Sequence, residues 1–358
     1  MQSYPLHSLK TGSWFKLICG ASYQHLPAVR SLALAYSLAG ADCIDVAADP
    51  AVIAAAKEGI RVAKEFGSRK SASPWLMVSV NDGVDPHFRK ARFDVTQCPS
   101  DCPQPCVRVC PAEAISERGG VIDSLCYGCG RCEPICPQNL ITNHSYLASL
   151  KEVVPWIESL EVDAIEIHTQ VGNYAGFQRV WENIAPIVGK LKSIAISCTD
   201  APNVIEYLRS LYALISPLPC PLIWQTDGRS MSGDIGKGTT HAAIDFAKKV
   251  IQAQLPGYVQ LAGGTNDYTV SKLKQAKMLG RQDREQLPIS GLAYGSYARS
   301  ILSPTISRLV GTALESNQFI KTKDRSMNQL NLKLEQDKEL LAQAVSTAQT
   351  LVSQIKQS

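Results

Sequence analysis

Short apolar segments alternate with longer amphipathic segments along most of the chain. The apolar segments, each bounded by turn residues, are Phe15–Cys19, Cys43–Ala47, Trp75–Val80, Ala164–His168, Ser193–Cys198, Leu222–Thr226, Tyr258–Ala262 and Gly291–Tyr294. The amphipathic segments between them include Leu26–Ala39, Pro50–Phe66, Phe177–Lys190, Pro202–Leu214, Thr239–Ala253 and Thr269–Leu279. Buried parallel strands have nearly continuous apolar runs, and the helices that cover them are amphipathic. The pattern therefore predicts an α/β fold, a closed (β/α)8 barrel, with a doubly wound parallel sheet as the alternative.

The alternation is interrupted once, after the third predicted strand. Residues 94–143 contain no strand–helix unit of this kind, and the pattern resumes with a helical segment at Leu147–Leu160. We therefore predict that residues 1–93 and 144–320 form the barrel and that residues 94–143 are inserted into it. An insertion at this point lies at the carboxyl ends of the strands, where barrel proteins bind ligands.

Near the end of the chain, the apolar residues recur with a different period. Leu334, Leu341, Ala348 and Ile355 recur every seven residues, which predicts a C-terminal amphipathic helix over residues 329–358. Such a stripe packs either on the outside of the barrel or against a partner helix. Packing on the barrel is favoured, because Asp337 interrupts the stripe.

Composition and charge narrow the class of protein. Hydrophobic residues make up 45% and charged residues 19% of the 358 residues, and the net charge is +4 without a basic block. These values give no indication of nucleic-acid binding. No apolar stretch has the roughly 20 residues that a membrane-spanning helix needs, although peripheral membrane association stays open. No signal peptide is evident at the start, so a cytoplasmic location is expected.

The densest chemical signal is a cluster of cysteines, which places eight of the twelve within 39 residues. The upstream run has three residues between successive cysteines, and a proline follows its last member: Cys98, Cys102, Cys106 and Cys110. The downstream run has the spacing C-x2-C-x2-C-x3-C-P of bacterial ferredoxins: Cys126, Cys129, Cys132 and Cys136. Three thiolates from one tight loop can surround a cubane cluster. The two runs therefore predict two iron–sulfur clusters of the [4Fe-4S] type.

Two other uses of these cysteines are weaker. Disulfides need an oxidising compartment, and zinc sites usually join two C-x2-C pairs through a longer loop. The upstream spacing departs from the ferredoxin pattern, which leaves a [3Fe-4S] cluster or a different ligand set open at that site. In two-cluster ferredoxins the fourth cysteine of each run binds the other cluster. This rule predicts that Cys110 joins the downstream triplet and that Cys136 joins the upstream one.

Three stretches together resemble the cyanobacterial light-dependent-period family: the opening segment with ADCIDVAADP, the paired cysteine runs, and LIWQTDGRSMSGDIGKGTTHAAI. The resemblance covers nearly the whole chain. It implies an iron–sulfur protein that relays cellular redox and light state to the circadian clock, with clock-input kinases and clock core proteins as partners. It also implies that all eight cysteines of the two runs are cluster ligands.

The last two predicted strands suggest a second site. Gly263 and Gly264 follow the seventh strand, and Gly295, Ser296 and Arg299 follow the eighth. Many barrels bind a phosphate group between these two loops, so these residues are candidates for a phosphate or an FMN cofactor. A flavin-dependent oxidoreductase is therefore the alternative to the redox sensor. No acid–base set can be identified from the sequence, which leaves enzymatic activity undecided and favours a sensor.

Overall fold

The computed structural model describes residues 4–66, 73–83, 89–110, 112–117, 119–126, 128, 130–145, 150–228, 239–279, 289–317 and 333–357. Eight of its strands are parallel and form the barrel: β1 (Trp14–Ile18), β2 (Cys43–Ala47), β3 (Trp75–Asn81), β8 (Ala164–His168), β9 (Ser193–Thr199), β10 (Leu222–Asp227), β11 (Tyr258–Ala262) and β12 (Gly291–Tyr294). Each strand pairs with the next in this order. The last strand then pairs with the first, from Trp14↔Gly291 to Leu17↔Tyr294. This closure confirms the barrel and excludes the doubly wound sheet.

The described helices are α1 (Tyr4–Thr11), α2 (Leu26–Ala39), α3 (Pro50–Phe66), α4 (Pro105–Val109), α5 (Leu150–Ser159), α6 (Tyr174–Ile184), α7 (Val204–Ile215), α8 (Thr239–Gln252), α9 (Thr269–Gln275), α10 (Ser296–Asn317) and α11 (Lys338–Lys356). The segment predicted as one helix over Phe177–Lys190 is divided. It ends as an α-helix at Ile184 and continues as a 3-10 turn over Ala185–Lys190. Pro186 explains the division, because proline has no N–H to continue the α-helical hydrogen bonds.

Side chains inside the barrel alternate with side chains that face the helices. In β1, Trp14 belongs to the inner cluster, whereas Phe15 and Leu17 belong to the outer one. The inner cluster is an apolar layer near the amino ends of the strands, and its buried members are Leu9, Trp14, Cys43, Trp75, Met77, Ala164, Ala195 and Ile223. Leu9 comes from α1, so this helix covers the amino-terminal end of the barrel.

The inserted segment is joined to the barrel by a pair of antiparallel strands. Strand β4 (Arg89–Arg92) pairs with β7 (Thr142–Ser145), which brings the two ends of the insertion side by side. Between them lie α4 and a hairpin of β5 (Ile115–Ser116) and β6 (Gly120–Val121). The paired stem extends slightly beyond the insertion bounds of residues 94–143 expected from the sequence.

The C-terminal helix packs on the outside of the barrel against α2 and α10. It begins later than the sequence suggested. Leu334–Gln336 form a 3-10 turn, and residues 329–332 lie outside the described residues. Asp337 is the N-cap of α11, and its side chain accepts hydrogen bonds from the backbone N–H groups of Glu339 and Leu340 at 3.0 Å. Asp337 interrupts the apolar stripe because it starts the helix. Among the described helices, none is both long and apolar enough to cross a membrane.

Candidate iron–sulfur centre and barrel mouth

The upstream cysteines lie on a loop that leads into α4. Asp94 starts this loop by capping a short 3-10 turn, and Cys98 follows that turn directly. The backbone N–H of Cys102 is bonded within the next turn, and Cys106 is buried in α4. Because the chain curls along this path, the thiols point toward the same side even though three residues separate successive cysteines.

In the upstream group, four thiols lie close enough to interact electrostatically. The Cys98 thiol is hydrogen-bonded to that of Cys102 and also interacts electrostatically with Cys106 and Cys136. The pKa of Cys98 is raised, first by desolvation and then by these neighbouring thiols. Cys136 comes from the end of the downstream run. The upstream triplet therefore has a fourth thiol from the other run beside it.

Two cysteines of the downstream run, Cys126 and Cys132, line a separate pocket. Its lining combines three thiols with apolar side chains and glycines, namely Ala91, Cys110, Ala112, Ala114, Ile115, Cys126, Gly128, Gly130 and Cys132. Gly128 and Gly130 have φ angles of 71° and 74°, a conformation that glycine adopts without strain. Cys110 comes from the end of the upstream run. The fourth cysteines have thus changed places, while Cys129 lies outside the described residues.

Backbone N–H groups point at the sulfurs of both groups. The N–H of Ala91 donates to Cys126 Sγ at 3.3 Å, and the N–H of Ala114 donates to Cys110 Sγ at 3.2 Å. Desolvation acts to raise the pKa of Cys136, but four backbone hydrogen bonds outweigh it and lower that pKa: they come from Leu140, Gln138, Ile141 and Asn139. Such donors stabilise a thiolate, the form that binds iron.

The two thiol groups fit iron–sulfur clusters better than single metal ions. Each combines convergent cysteines with N–H donors to sulfur, which is the usual surrounding of such clusters. Within the described parts of the chain, no three or more His, Cys, Asp or Glu side chains converge closely enough to hold one ion. A zinc ion would need all its thiolates about 2.3 Å from one point, whereas a cubane takes each thiolate at a different iron.

One buried lysine connects the inserted segment to the barrel. Lys90 Nζ donates to Gln24 Oε1 at 2.7 Å, and to both the backbone oxygen and the carboxylate of Asp123 at 2.8 Å. The backbone N–H of Gln24 donates to the oxygen of Ser124 at 3.1 Å. Gln24 also reaches Asp49, the residue that caps α3. The loop before Cys126 is therefore fastened to the loops after β1 and β2.

The residues predicted to bind a phosphate or FMN lie at the mouth of the barrel. Gly263 and Gly264 follow β11 with φ angles of 61° and 116°, and Gly295 directly precedes α10, which begins at Ser296. The Arg299 guanidinium donates to the backbone oxygens of Ile18 and Cys19 at 3.1 Å, and to Ser296 Oγ at 3.2 Å. These bonds attach α10 to the end of β1. An FMN site here stays a prediction.

The sequence placed Glu166 and His168 on the fourth strand, with His168 facing the mouth, but the reasoning missed that charged side chains from different strands meet inside the barrel. Lys16, Asp45 and Glu166 are fully buried there, one each in β1, β2 and β8. A signal was present, since each of these strands carries a single charged residue at its centre: WFKLI, CIDVA and AIEIH. His168 at the end of β8 is 6% exposed and lies directly above Glu166.

Comparison with known proteins identifies the family. The chain is 48% identical, over 99% of its own length and 95% of the relative's, to "Light dependent period A" of Synechococcus elongatus. It belongs to the light dependent period A family. Residues 98–147 match the family's Fe-S cluster-binding domain, and residues 156–354 match its C-terminal domain. The matched Fe-S cluster-binding domain agrees with the iron–sulfur prediction from the cysteine runs, and the family is the one that the three stretches resembled.

Solved structures are only weakly similar to this member of the family. The tryptophan synthase alpha chain of Legionella pneumophila subsp. pneumophila is 10% identical, covers 99% of this chain and 98% of its own, and has a TM-score of 0.41. A 4-hydroxy-tetrahydrodipicolinate synthase from Methylacidiphilum fumariolicum SolV is 9% identical, with coverages of 96% and 98% and a TM-score of 0.39. At these values the likeness carries no argument about chemistry, and the barrel rests on its strand pairing.

Proposed function

We propose that the protein is a redox sensor that holds two iron–sulfur clusters and relays the cell's redox state, as set by light, to the circadian clock. The observation that carries the proposal is the exchanged position of the fourth cysteines. Cys136 interacts with the upstream thiols, and Cys110 shares a pocket with Cys126 and Cys132. Two-cluster ferredoxins use the same exchange to hold two redox groups side by side.

The ligands of the proposed clusters are the eight cysteines of the two runs. Cys98, Cys102, Cys106 and Cys136 would hold the upstream cluster, as [4Fe-4S] or, given its wider spacing, [3Fe-4S]. Cys110, Cys126, Cys129 and Cys132 would hold a [4Fe-4S] cluster downstream. When bound, such clusters exchange single electrons. The chain supplies the thiolates, the N–H donors of Ala91 and Ala114 that offset their charge, and partial exclusion of water.

The bonds of Lys90 offer a physical connection from the cysteines to the barrel. Ala91, whose N–H donates to Cys126, directly follows Lys90 in β4. A change of charge at the sulfur alters the strength of that hydrogen bond. Any resulting displacement of β4 reaches Gln24 and Asp49 through the Lys90 ammonium. The loops at the barrel mouth are thus the surface where a partner would detect the cluster state.

Replacing Lys90 by methionine tests this connection. Lys90→Met removes the donor to Gln24 and Asp123, and hydrogen bonds to charged groups are worth about 1.5–3 kcal/mol. We expect amide hydrogen exchange in residues 119–126 to become about tenfold faster or more, while the cluster spectra persist. Lys274→Met, at an exposed position on α9, is the matched control and should change nothing. Equal exchange in both variants would show that Lys90 does not fasten the segment.

The proposed partners are clock-input kinases and clock core proteins, and the proposed location is the cytoplasm. Family membership supports both. The test is capture of purified clock-input kinase by the intact protein, prepared anaerobically and then held either reduced or oxidised. We expect retention to differ between the two states and the difference to vanish when Cys126 and Cys132 are replaced by serine. Equal retention in both states, with the clusters present, contradicts the sensor.

A flavin-dependent oxidoreductase is the second candidate, because the barrel interior contains His168, Glu166 and Lys16 in contact beneath the mouth. Barrel enzymes bind ligands at this end. Measurement of the iron, sulfide and flavin contents of the anaerobically purified protein distinguishes the oxidoreductase from the sensor. Stoichiometric FMN supports the enzyme, and clusters without flavin support the sensor.

A further inference from the structure

The barrel interior changes from apolar to polar halfway along its strands. Barrel interiors are normally filled by branched apolar side chains. Here the apolar layer near the amino ends is followed by a polar layer in which each member is at most 2% exposed: Lys16, Asp45, Glu166, Gln225 and Gln260. The polar layer lies on the side of the carboxyl ends, where barrels bind ligands.

Hydrogen bonds and ion pairs connect this polar layer. Glu166 is paired with Lys16, whose ammonium is also 3.8 Å from the Asp45 carboxylate. Gln225 Nε2 donates to Glu166 Oε1 at 2.6 Å, and Gln260 Nε2 donates to Gln225 Oε1 at 2.6 Å. A buried ion pair is often no more stabilising than well-packed apolar residues of the same volume. Packing alone therefore does not account for the polar layer.

Two further polar side chains project from the strand ends directly above this layer. Glu166 and His168 are two residues apart in β8, so both face inward, and His168 Nε2 lies 2.9 Å from Glu166 Oε1. In the adjacent β3, Ser79 faces inward to Asp45, so Asn81 faces inward as well. Asn81 is the register partner of His168. The two side chains thus stand next to each other at the mouth.

Asn81 has one hydrogen-bonding group that is not used. Its Oδ1 accepts from the backbone N–H of Gly83 at 3.0 Å, but its buried Nδ2 has no partner among the described residues. The residue is 9% exposed. An unsatisfied buried donor costs about 1–3 kcal/mol, so a bound acceptor at this position would be stabilising. A ligand acceptor beside His168 would satisfy it.

We propose that the barrel mouth binds a small uncharged organic molecule through a carbonyl oxygen, with Asn81 Nδ2 as the hydrogen-bond donor and His168 as the second polar contact. In the polar layer beneath, Glu166 holds His168 in place. Lys16 and Gln225 in turn hold Glu166. This site is separate from the cysteine groups and does not depend on them.

The charges of the layer favour an uncharged ligand. Burial raises the pKa of Glu166, but Lys16 and then His168 outweigh it and hold that pKa at about 2, so Glu166 stays anionic and balances Lys16. Burial raises the pKa of Asp45 to about 7, so any charge that Asp45 adds near neutrality is negative. Lys16 is therefore already balanced within the layer and does not offset the charge of a buried anion, which would be costly.

The test uses three probes on the intact protein purified anaerobically: cyclohexane-1,4-dione, cyclohexane-1,4-diol and inorganic phosphate. Calorimetry measures binding, and infrared difference spectra of carbonyl-13C-labelled dione report hydrogen bonding. We expect the dione to bind more tightly than the diol and its carbonyl stretch to move to lower frequency, while phosphate does not bind. Asn81→Asp keeps the size but removes the donor, so it should weaken dione binding about tenfold and abolish the frequency shift.

Two further variants complete the test. His168→Gln should also weaken dione binding, whereas His241→Gln, at an exposed position on α8, should not. Circular dichroism and cluster spectra establish that each variant is folded, and Asn81→Ser replaces Asn81→Asp if the latter is not. Phosphate binding without dione binding overturns the proposal, as does binding of no probe. Dione binding that survives replacement of both Asn81 and His168 overturns it too.

Discussion

Cys110→Ser should damage the cluster of the downstream run, although the substituted residue belongs to the upstream run. Cys110 lines the same pocket as Cys126 and Cys132, and its sulfur accepts a hydrogen bond from the N–H of Ala114 within that pocket. A serine oxygen is a poor substitute for a thiolate, so one iron of the downstream cluster should be lost or labile. The upstream thiols should be unaffected.

Electron paramagnetic resonance and Mössbauer spectra of anaerobically purified variants measure this effect. Cys136→Ser should do the reverse and perturb the upstream cluster, since Cys136 interacts with Cys98 and Cys106. Cys220→Ser is the matched control, because Cys220 precedes β10, away from both runs. If Cys110→Ser removes the upstream signal and spares the downstream one, each run closes its own cluster and the ligand assignment is wrong.

Lys356→Met should destabilise the whole barrel, although Lys356 lies only two residues from the end of the chain. Its ammonium is 2.5 Å from Asp42 Oδ2 and 3.0 Å from Ser8 Oγ. Asp42 is 1% exposed and also accepts from the N–H of Phe15 at 2.7 Å. The substitution leaves a buried carboxylate without its counter-ion, which costs about 3 kcal/mol or more.

Urea unfolding of the intact protein gives the free energy of unfolding for a double-mutant cycle. Asp42→Asn combined with Lys356→Met should cost clearly less than the sum of the two single substitutions, because neither charge then remains buried alone. Lys338→Met, at an exposed position at the start of the same helix, should change stability by less than 0.5 kcal/mol or so. Additive effects of the two substitutions would show that the pair does not hold the C-terminal helix to the barrel.

Local patterns in the sequence determined most of the fold. The eight strands were predicted to within about one residue at each end, because a strand buried on both faces is apolar throughout and is bounded by turn residues. The ferredoxin spacing predicted the iron–sulfur segment for a similar reason. Three ligands of one cluster come from a single short loop, so their spacing is fixed within a few residues.

Other features depend on residues that are distant in the sequence. Lys16 is 150 residues from Glu166, and Lys356 is 314 residues from Asp42. No local pattern indicates which buried charge meets which, because only closure of the barrel and docking of the last helix bring the partners together. The start of that helix was misplaced because its heptad spacing continues through Leu334, whereas the Asp337 cap decides where the backbone becomes helical.

Both the sequence and the tertiary structure were needed to define the two cysteine groups. The sequence determined which residues are thiols and how closely each triplet is spaced. The tertiary structure decided that Cys136 lies beside the upstream triplet, that Cys110 lies in the downstream pocket, and that Lys90 fastens the loop before Cys126 to the barrel. The physical reason is that the antiparallel pairing of β4 with β7 folds the inserted segment back on itself, which sets the end of each run against the start of the other.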